Sequence, residues 1–384
     1  MKPLALSSIR KQNLSQVLDL LTLSPACTRQ DLAEATGLSQ MTVTNLVEML
    51  KKQGVLHLTP IQRDESRSQL KGRKADAITL SGDKKAWLIV DIASRQFSMT
   101  LLGFDVTTLM ELHDDQPGEY LPQLEAFLQE SRPKIQEALK GRDLLGVAII
   151  APGPYEIASD TVSNQRLPQL NNVRIKELFR RCLGDYDYYV DEDVKFAVRA
   201  FSDKIISNQC EVLYYLYIGE GVGGAAVHGG NMLRGLNATA GDAGHLLGRG
   251  GFTFESRLST EAFARTLGLE DSLTPEQQQE ALHRLAEENP QRYDAALDDM
   301  ASITAKMLHG VLWMLDPTHI IIDCVYARTR EKQFIAAVEK HLTLHFAGET
   351  RLLPQIFPTA PGLSSVVRGA VCVLQRAWLE RILM

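Results

Sequence analysis

The stretch GLNATAGDAGHLLGRGGFTFES, Gly235 to Ser256, gathers three side chains able to do chemistry. Asp242 and His245 stand three residues apart within Gly-Asp-Ala-Gly-His, and Glu255 follows ten residues later. Two carboxylates and an imidazole can grip the vicinal hydroxyls of a sugar or ligate a divalent metal. A solvated loop that binds neither is the third alternative. Two further features suit similar chemistry. The acidic run Asp191-Glu192-Asp193 stands where an apolar stretch gives way to a helical one. The glycines of GEGVGG, Gly219 to Gly224, would let main-chain amides approach an anion. A loop of that kind also simply joins strands, so alone it is a weak signal.

Groups so far apart in the chain need a layered scaffold to hold them. KAWLIVDIASRQFSMTLLGFD, LLGVAIIAPGPYE, YDYYVDEDVKFAVRAFSD, EVLYYLYIGEGVGGAAVHGG and DPTHIIIDCVY read as buried strands with their turns. Helical stretches fall near 120–140, about 256–315 and after Gly362. Strands alternating with helices predict α/β layers in two lobes. At 384 residues, 45% hydrophobic and 23% charged, the chain is too long for one ordinary domain and has no signature of disorder. No apolar run nears ~18 residues, and the opening MKPLALSSIRKQN lacks the core of a secretory signal. The five cysteines (Cys27, Cys182, Cys210, Cys324, Cys372) are scattered and never form C-x-x-C. The expectation is a cytoplasmic protein with reduced thiols and no membrane insertion.

Charge is divided unevenly. Residues 1–82 carry eleven Lys/Arg against seven Asp/Glu, whereas the remainder carries 30 against 40. A basic head on an acidic body suits a nucleic-acid reader with a separate sensing domain. Within the head, CTRQDLAEATGLSQMTVTNLVEMLKKQGVLHL supplies a motif. Thr28 with Asp31 predicts a capping box, Gly37 a left-handed turn and Ser39 the cap of a second helix. Val43, Leu46, Val47 and Leu50 then recur at helical spacing. That leaves Gln40, Thr42, Thr44 and Asn45 at the helix start to reach base edges in a major groove. Two short strands, GVLHLTP and ADAITLS, flank a loop with Arg63, Arg67, Lys71, Arg73 and Lys74, suited to phosphates or the minor groove. Together these predict a winged helix-turn-helix over 1–82 and an α/β body over 83–384. A helical hairpin for protein contacts is the alternative.

With these motifs in place, the chain resembles the ROK family of repressors and sugar kinases, over nearly its whole length. It is most similar to the winged-helix members that respond to N-acetylglucosamine, glucose or xylose. GLNATAGDAGH matches the family's G-x-N-x-x-A-G-E-x-G-H, with Asp242 for its Glu, and Gly-Arg-Lys follows the wing where those repressors have Gly-Arg-Pro. The resemblance implies an actin/hexokinase-like body with ligand between its lobes. It also implies a homodimer or tetramer on a palindromic double-stranded DNA operator, controlling carbohydrate genes.

Departures from the family pattern shape the remaining expectations. The resemblance puts Asp193 at the kinase base, but Glu192 and Lys195 replace flanking Asn residues. A second acid beside Asp193 repels it and raises its proton affinity. DIASR, from Asp91 to Arg95, stands for Asp-x-Gly-Gly-Thr, and Asp323-Cys324 for the Gly-Gly near adenine. The family's zinc-binding cysteines are missing from LLGRGGFTF, and the register through Leu167-Pro168 puts Arg166 at the sugar-contacting Asn. The expectation is a regulator with no cofactor, no metal and no ATP-dependent kinase activity. Its effector, a sugar or sugar phosphate, would be held by Asp193, Glu192, Asp242, His245, Glu255 and Arg166. The rivals are a sugar kinase with an appended head, and a vestigial cleft under the control of a protein partner.

Overall fold

Apolar side chains three and four positions apart dictate the first helix, α1 (Leu6–Leu23), where Leu14, Val17, Leu18 and Leu21 form one buried stripe. α2 (Arg29–Thr36) opens on a reciprocal capping box. The Asp31 amide donates to the Thr28 hydroxyl at 3.2 Å, and the Thr28 amide donates to the Asp31 carboxylate at 2.8 Å. Those bonds hold the Asp31 carboxyl below its ordinary value. The helix stops at Gly37, whose φ of 69° suits glycine, and Ser39 caps α3 (Gln40–Lys52). β1 (Leu56–Pro60) and β2 (Asp76–Leu80) pair antiparallel, and Cys27 exchanges two main-chain bonds with Ile78. Helix, helix-turn-helix and two-stranded wing stand as the sequence predicts.

The computed structural model describes residues 6–23, 26–61, 76–93, 96–114, 118–164, 167–205, 211–248, 250–270, 272–359 and 363–384. Arg63, Arg67, Lys71, Arg73, Lys74, Arg95 and Arg166 lie outside them. The chain divides into two compact units, Met1–Asp193 with Ala370–Met384, and Val194–Gly369. Among the described residues no helix is long and apolar enough to cross a membrane.

In the first unit, β3 (Lys85–Asp91), β4 (Phe97–Gly103) and β5 (Thr108–Asp114) form an antiparallel meander. β6 (Asp143–Ile150) and β9 (Tyr188–Asp191) continue the sheet in parallel, in the order β5-β4-β3-β6-β9. Alternation along β3 buries both faces. Ala86, Leu88 and Val90 join the core made with α4 (Tyr120–Leu139) and α5 (Ile175–Leu183). Trp87 points the other way, onto Phe104, which packs edge-on against Trp378. A minor hairpin, β7 (Tyr155–Glu156) with β8 (Thr161–Val162), follows β6. The head reaches this lobe through a short packed linker, where the Arg142 guanidinium donates to the Gly82 carbonyl at 2.7 Å and His57 lies 2.9 Å from Asp83.

In the second unit β10 (Val212–Ile218), β11 (Val222–His228) and β12 (Asn231–Met232) make another antiparallel meander. β13 (His319–Cys324) and β14 (Gln355–Pro358) extend it in parallel, in the order β12-β11-β10-β13-β14. Tyr214, Leu216 and Ile218 face a core built with α7 (Glu255–Leu258), α8 (Thr260–Thr266), α9 (Pro275–Glu288), α10 (Pro290–Leu315) and α11 (Glu331–His345). Leu213 and Tyr215 face α6 (Asp193–Ile205) instead. The last helix, α12 (Ser365–Leu383), begins in this unit and ends in the first. Both sheets thus follow one plan, a three-stranded meander and then two parallel strands.

Candidate functional site

The front of α3 is built from its buried side outward. Val43, Leu46, Val47 and Leu50 are buried, which turns Gln40, Met41, Thr44 and Asn45 to solvent and leaves Thr42 half-buried. Two of the expected base readers have hydroxyls engaged within the helix. Thr42 shares a 2.9 Å bond with Ser39, and Thr44 donates to the Gln40 carbonyl at 2.8 Å. Met41, 77% exposed, also belongs to this face; its position opposite the buried stripe marks it in the sequence, although it is not among the polar readers expected there. Arg29 of α2 ties α3 to the wing, 3.1 Å from Glu48 and 3.4 Å from Asp76.

The Gly-Asp-Ala-Gly-His motif lies flat on β11 for a steric reason. A Cβ at Gly244 would stand 1.9 Å from the Val222 carbonyl oxygen, and one at Gly241 would meet the Ala226 amide at 3.1 Å. Gly241 also has a φ of 95°, and its carbonyl accepts from the buried Tyr214 hydroxyl at 2.9 Å. So anchored, the motif presents a pair, with the Asp242 carboxylate (Oδ2) 2.8 Å from His245 Nδ1. With Nδ1 engaged there, Nε2 is the ring nitrogen left to a ligand, on an exposed side chain. Burial raises the Asp242 carboxyl above its ordinary value, against the opposing pull of His245. Its second oxygen, Oδ1, is buried without a hydrogen-bond partner.

Glu255 joins this group by its backbone, donating to the Gly244 carbonyl at 2.9 Å. One of its carboxylate oxygens accepts from the Val222 amide at 3.1 Å and lies 3.0 Å from where a Gly221 Cβ would stand. The glycine turn expected to approach an anion therefore already holds one, supplied by the chain. His245 is the only imidazole in the motif, its Nδ1 faces Asp242, and no cysteine accompanies it. These residues do not fit the zinc site that the family resemblance implies. Buried Lys195 donates to the Ala238 carbonyl, pinning the loop that leads into the motif.

A second acidic set lies in the first unit. Asp91 ends β3 and accepts from the Ala93 amide at 2.8 Å. Burial pushes its carboxyl up to about 6, against the Ala93 bond, and the charge of Asp193 adds to the rise. Glu192 turns back under the preceding loop, accepting from the Tyr155 amide at 3.0 Å beside a Gly153 that has no room for a Cβ. Asn164 also secures that loop, donating to the Gly153 carbonyl at 3.0 Å. Asp323, which stands for the family's adenine-side glycine, accepts from the Tyr215 hydroxyl at 2.8 Å. The structure thus gathers Asp91, Glu192 and Asp193 in one unit, and Asp242, His245 and Glu255 in the other.

Residues 88–377 match the ROK family, and residues 10–56 match a winged helix-turn-helix DNA-binding family. The chain belongs to the ROK family. Its ROK body has the actin/hexokinase-like fold, to which the duplicated sheet plan conforms. Among curated relatives, the chain is similar to protein y4fQ of Sinorhizobium fredii, at 24% identity over 245 residues. It is also similar to a proposed xylose repressor of Caldicellulosiruptor sp., at 26% over 242 residues. Those alignments cover 59% and 61% of this chain, and 58% and 57% of the relatives' own lengths. A solved ROK-family transcriptional regulator, homologous to the Escherichia coli MLC protein, shares the fold across 97% of both chains, with a TM-score of 0.63 at 17% identity.

Proposed function

We propose that this ROK-family chain is a sequence-specific DNA-binding regulator, a repressor of carbohydrate-utilisation genes whose body senses a sugar or sugar derivative. The observation that carries the reading is a capped α3 with an uncovered front face, joined to a ROK body. The relative named as a xylose repressor and the shared fold of the MLC homologue support it. Gln40, Thr42, Thr44 and Asn45 face base edges, while Arg63, Arg67, Lys71, Arg73 and Lys74 of the wing meet phosphates or the minor groove. Two-fold dimers place two α3 helices on a palindrome, about one DNA turn apart.

Asp242 and His245 are the sugar-binding pair in this reading. The Asp242 side chain is partly exposed and that of His245 mostly so. A sugar hydroxyl donating to the exposed part of the Asp242 carboxylate, with a neighbouring hydroxyl on the outer nitrogen of His245, engages both groups. Phosphoryl transfer is disfavoured, because the Glu255 carboxylate on the Val222 amide repels a polyphosphate from the glycine turn. A thermal-melt panel of sugars, amino sugars and sugar phosphates tests the sensing role. A ligand at ~1,000 times its Kd adds ~4 kcal/mol of stability. One selective stabiliser, lost in Asp242→Ala, is expected; a stabiliser indifferent to both Asp242→Ala and His245→Ala would move the site elsewhere.

A further inference from the structure

We infer that Met41 is a specificity-determining residue that packs on the 5-methyl group of a thymine in the major groove. Each operator half-site then carries an A·T pair facing the first turn of α3. The inference rests on the DNA-binding reading and adds a base to it.

At ~100° per residue, the buried quartet Val43, Leu46, Val47 and Leu50 defines one side of α3. The direction opposite its centre passes through Met41, flanked by Asn45 and Glu48. Met41 is therefore the foremost side chain of the first turn, and at 77% exposure it exceeds Ile9 (42%) and Ile61 (39%), the other exposed large apolar residues described in the head. Its neighbours are partly committed to the protein: the Thr44 hydroxyl to the Gln40 carbonyl, and Glu48 to Arg29.

The chemistry of the groove selects the partner. Major-groove edges present hydrogen-bond donors and acceptors, save for the methyl group that thymine alone carries. A thioether donates nothing and accepts weakly, so pressing it onto a polar edge desolvates that edge without return. Against a methyl group the same side chain buries apolar surface on both partners. Its unbranched, flexible chain lets it reach and conform to that methyl from the helix start.

The test uses the full chain and a pool of random duplexes. Wild type is expected to enrich one half-site, within which replacing a single thymine by uracil, which removes only the methyl, raises Kd about three- to fivefold. Met41→Ala, on an exposed helical position, should fold with an unchanged melting temperature and bind the thymine and uracil duplexes equally. It should also enrich a half-site with relaxed preference at that pair. Enrichment by both proteins of the same half-site, with equal sensitivity to every thymine methyl, would overturn the inference while leaving the DNA-binding reading intact. Failure to enrich any sequence would overturn both.

Discussion

Asp91 shows how far a single residue can carry a prediction. Its carboxyl is pushed up to about 6 by burial, so the native protein binds this proton more tightly than the unfolded chain. The contribution of Asp91 to stability must then fall as pH climbs from about 4 to about 6, and level off above. Asp91→Asn removes the charge and keeps an acceptor for the Ala93 amide. The carboxylate is half-buried, so the expected gain at pH 7–8 is about 1–2 kcal/mol, with little gain at pH 4. Urea unfolding of both proteins across that range is the measurement, and parallel pH curves would contradict the assignment. At Asp242 the forecast concerns binding: Asp242→Asn should weaken the effector about tenfold or more, since one oxygen of an acceptor pair becomes an amide donor. Titration of the compound found by the melt panel checks it.

At the scale of elements, legibility followed whether the signal was local. The capping box of Thr28 and Asp31, the turn at Gly37 and the cap at Ser39 are short-range contacts, and each could be read directly. Ser39→Ala should cost about 1 kcal/mol and loosen the first turn of α3, weakening DNA binding together with stability. Calorimetry and a DNA titration on the same sample test the two effects; unaltered binding would show that the cap does not position the readers. Contacts between distant segments were not legible. Nothing in GEGVGG announces that Glu255 will fold onto the Val222 amide, and nothing in DED announces that Glu192 will turn back onto Tyr155. Nor does the spacing announce that the charge of Asp193 raises the carboxyl of Asp91, which comes from another strand. The glycines of the Gly-Asp-Ala-Gly-His motif fit their pattern, but their reason, the closeness of the β11 main chain, required the sheet.

Across the whole molecule, two sheets of one plan and a winged head make up a ROK-family chain with a basic head and an acidic body. The alternation of strands and helices foretold the layers; that both sheets repeat one strand order was not visible without pairing. Neutralising Arg63, Arg67, Lys71, Arg73 and Lys74 should weaken binding to every duplex and flatten its dependence on salt. An unchanged salt slope would remove the wing from the interface. ATP should not turn over with any sugar, and Asp193→Asn should leave that background unaltered.

The most direct measurement is fluorescence anisotropy of the full chain on the duplex it enriches from a random pool, with and without the sugar that stabilises it. Binding at least 1,000-fold tighter than to a scrambled duplex is expected at physiological salt. A shift of about 5- to 150-fold in Kd is expected when the sugar is added, lost in Asp242→Ala. Equal affinity for both duplexes, or an affinity that no stabilising sugar moves, would contradict a sugar-responsive, sequence-specific regulator.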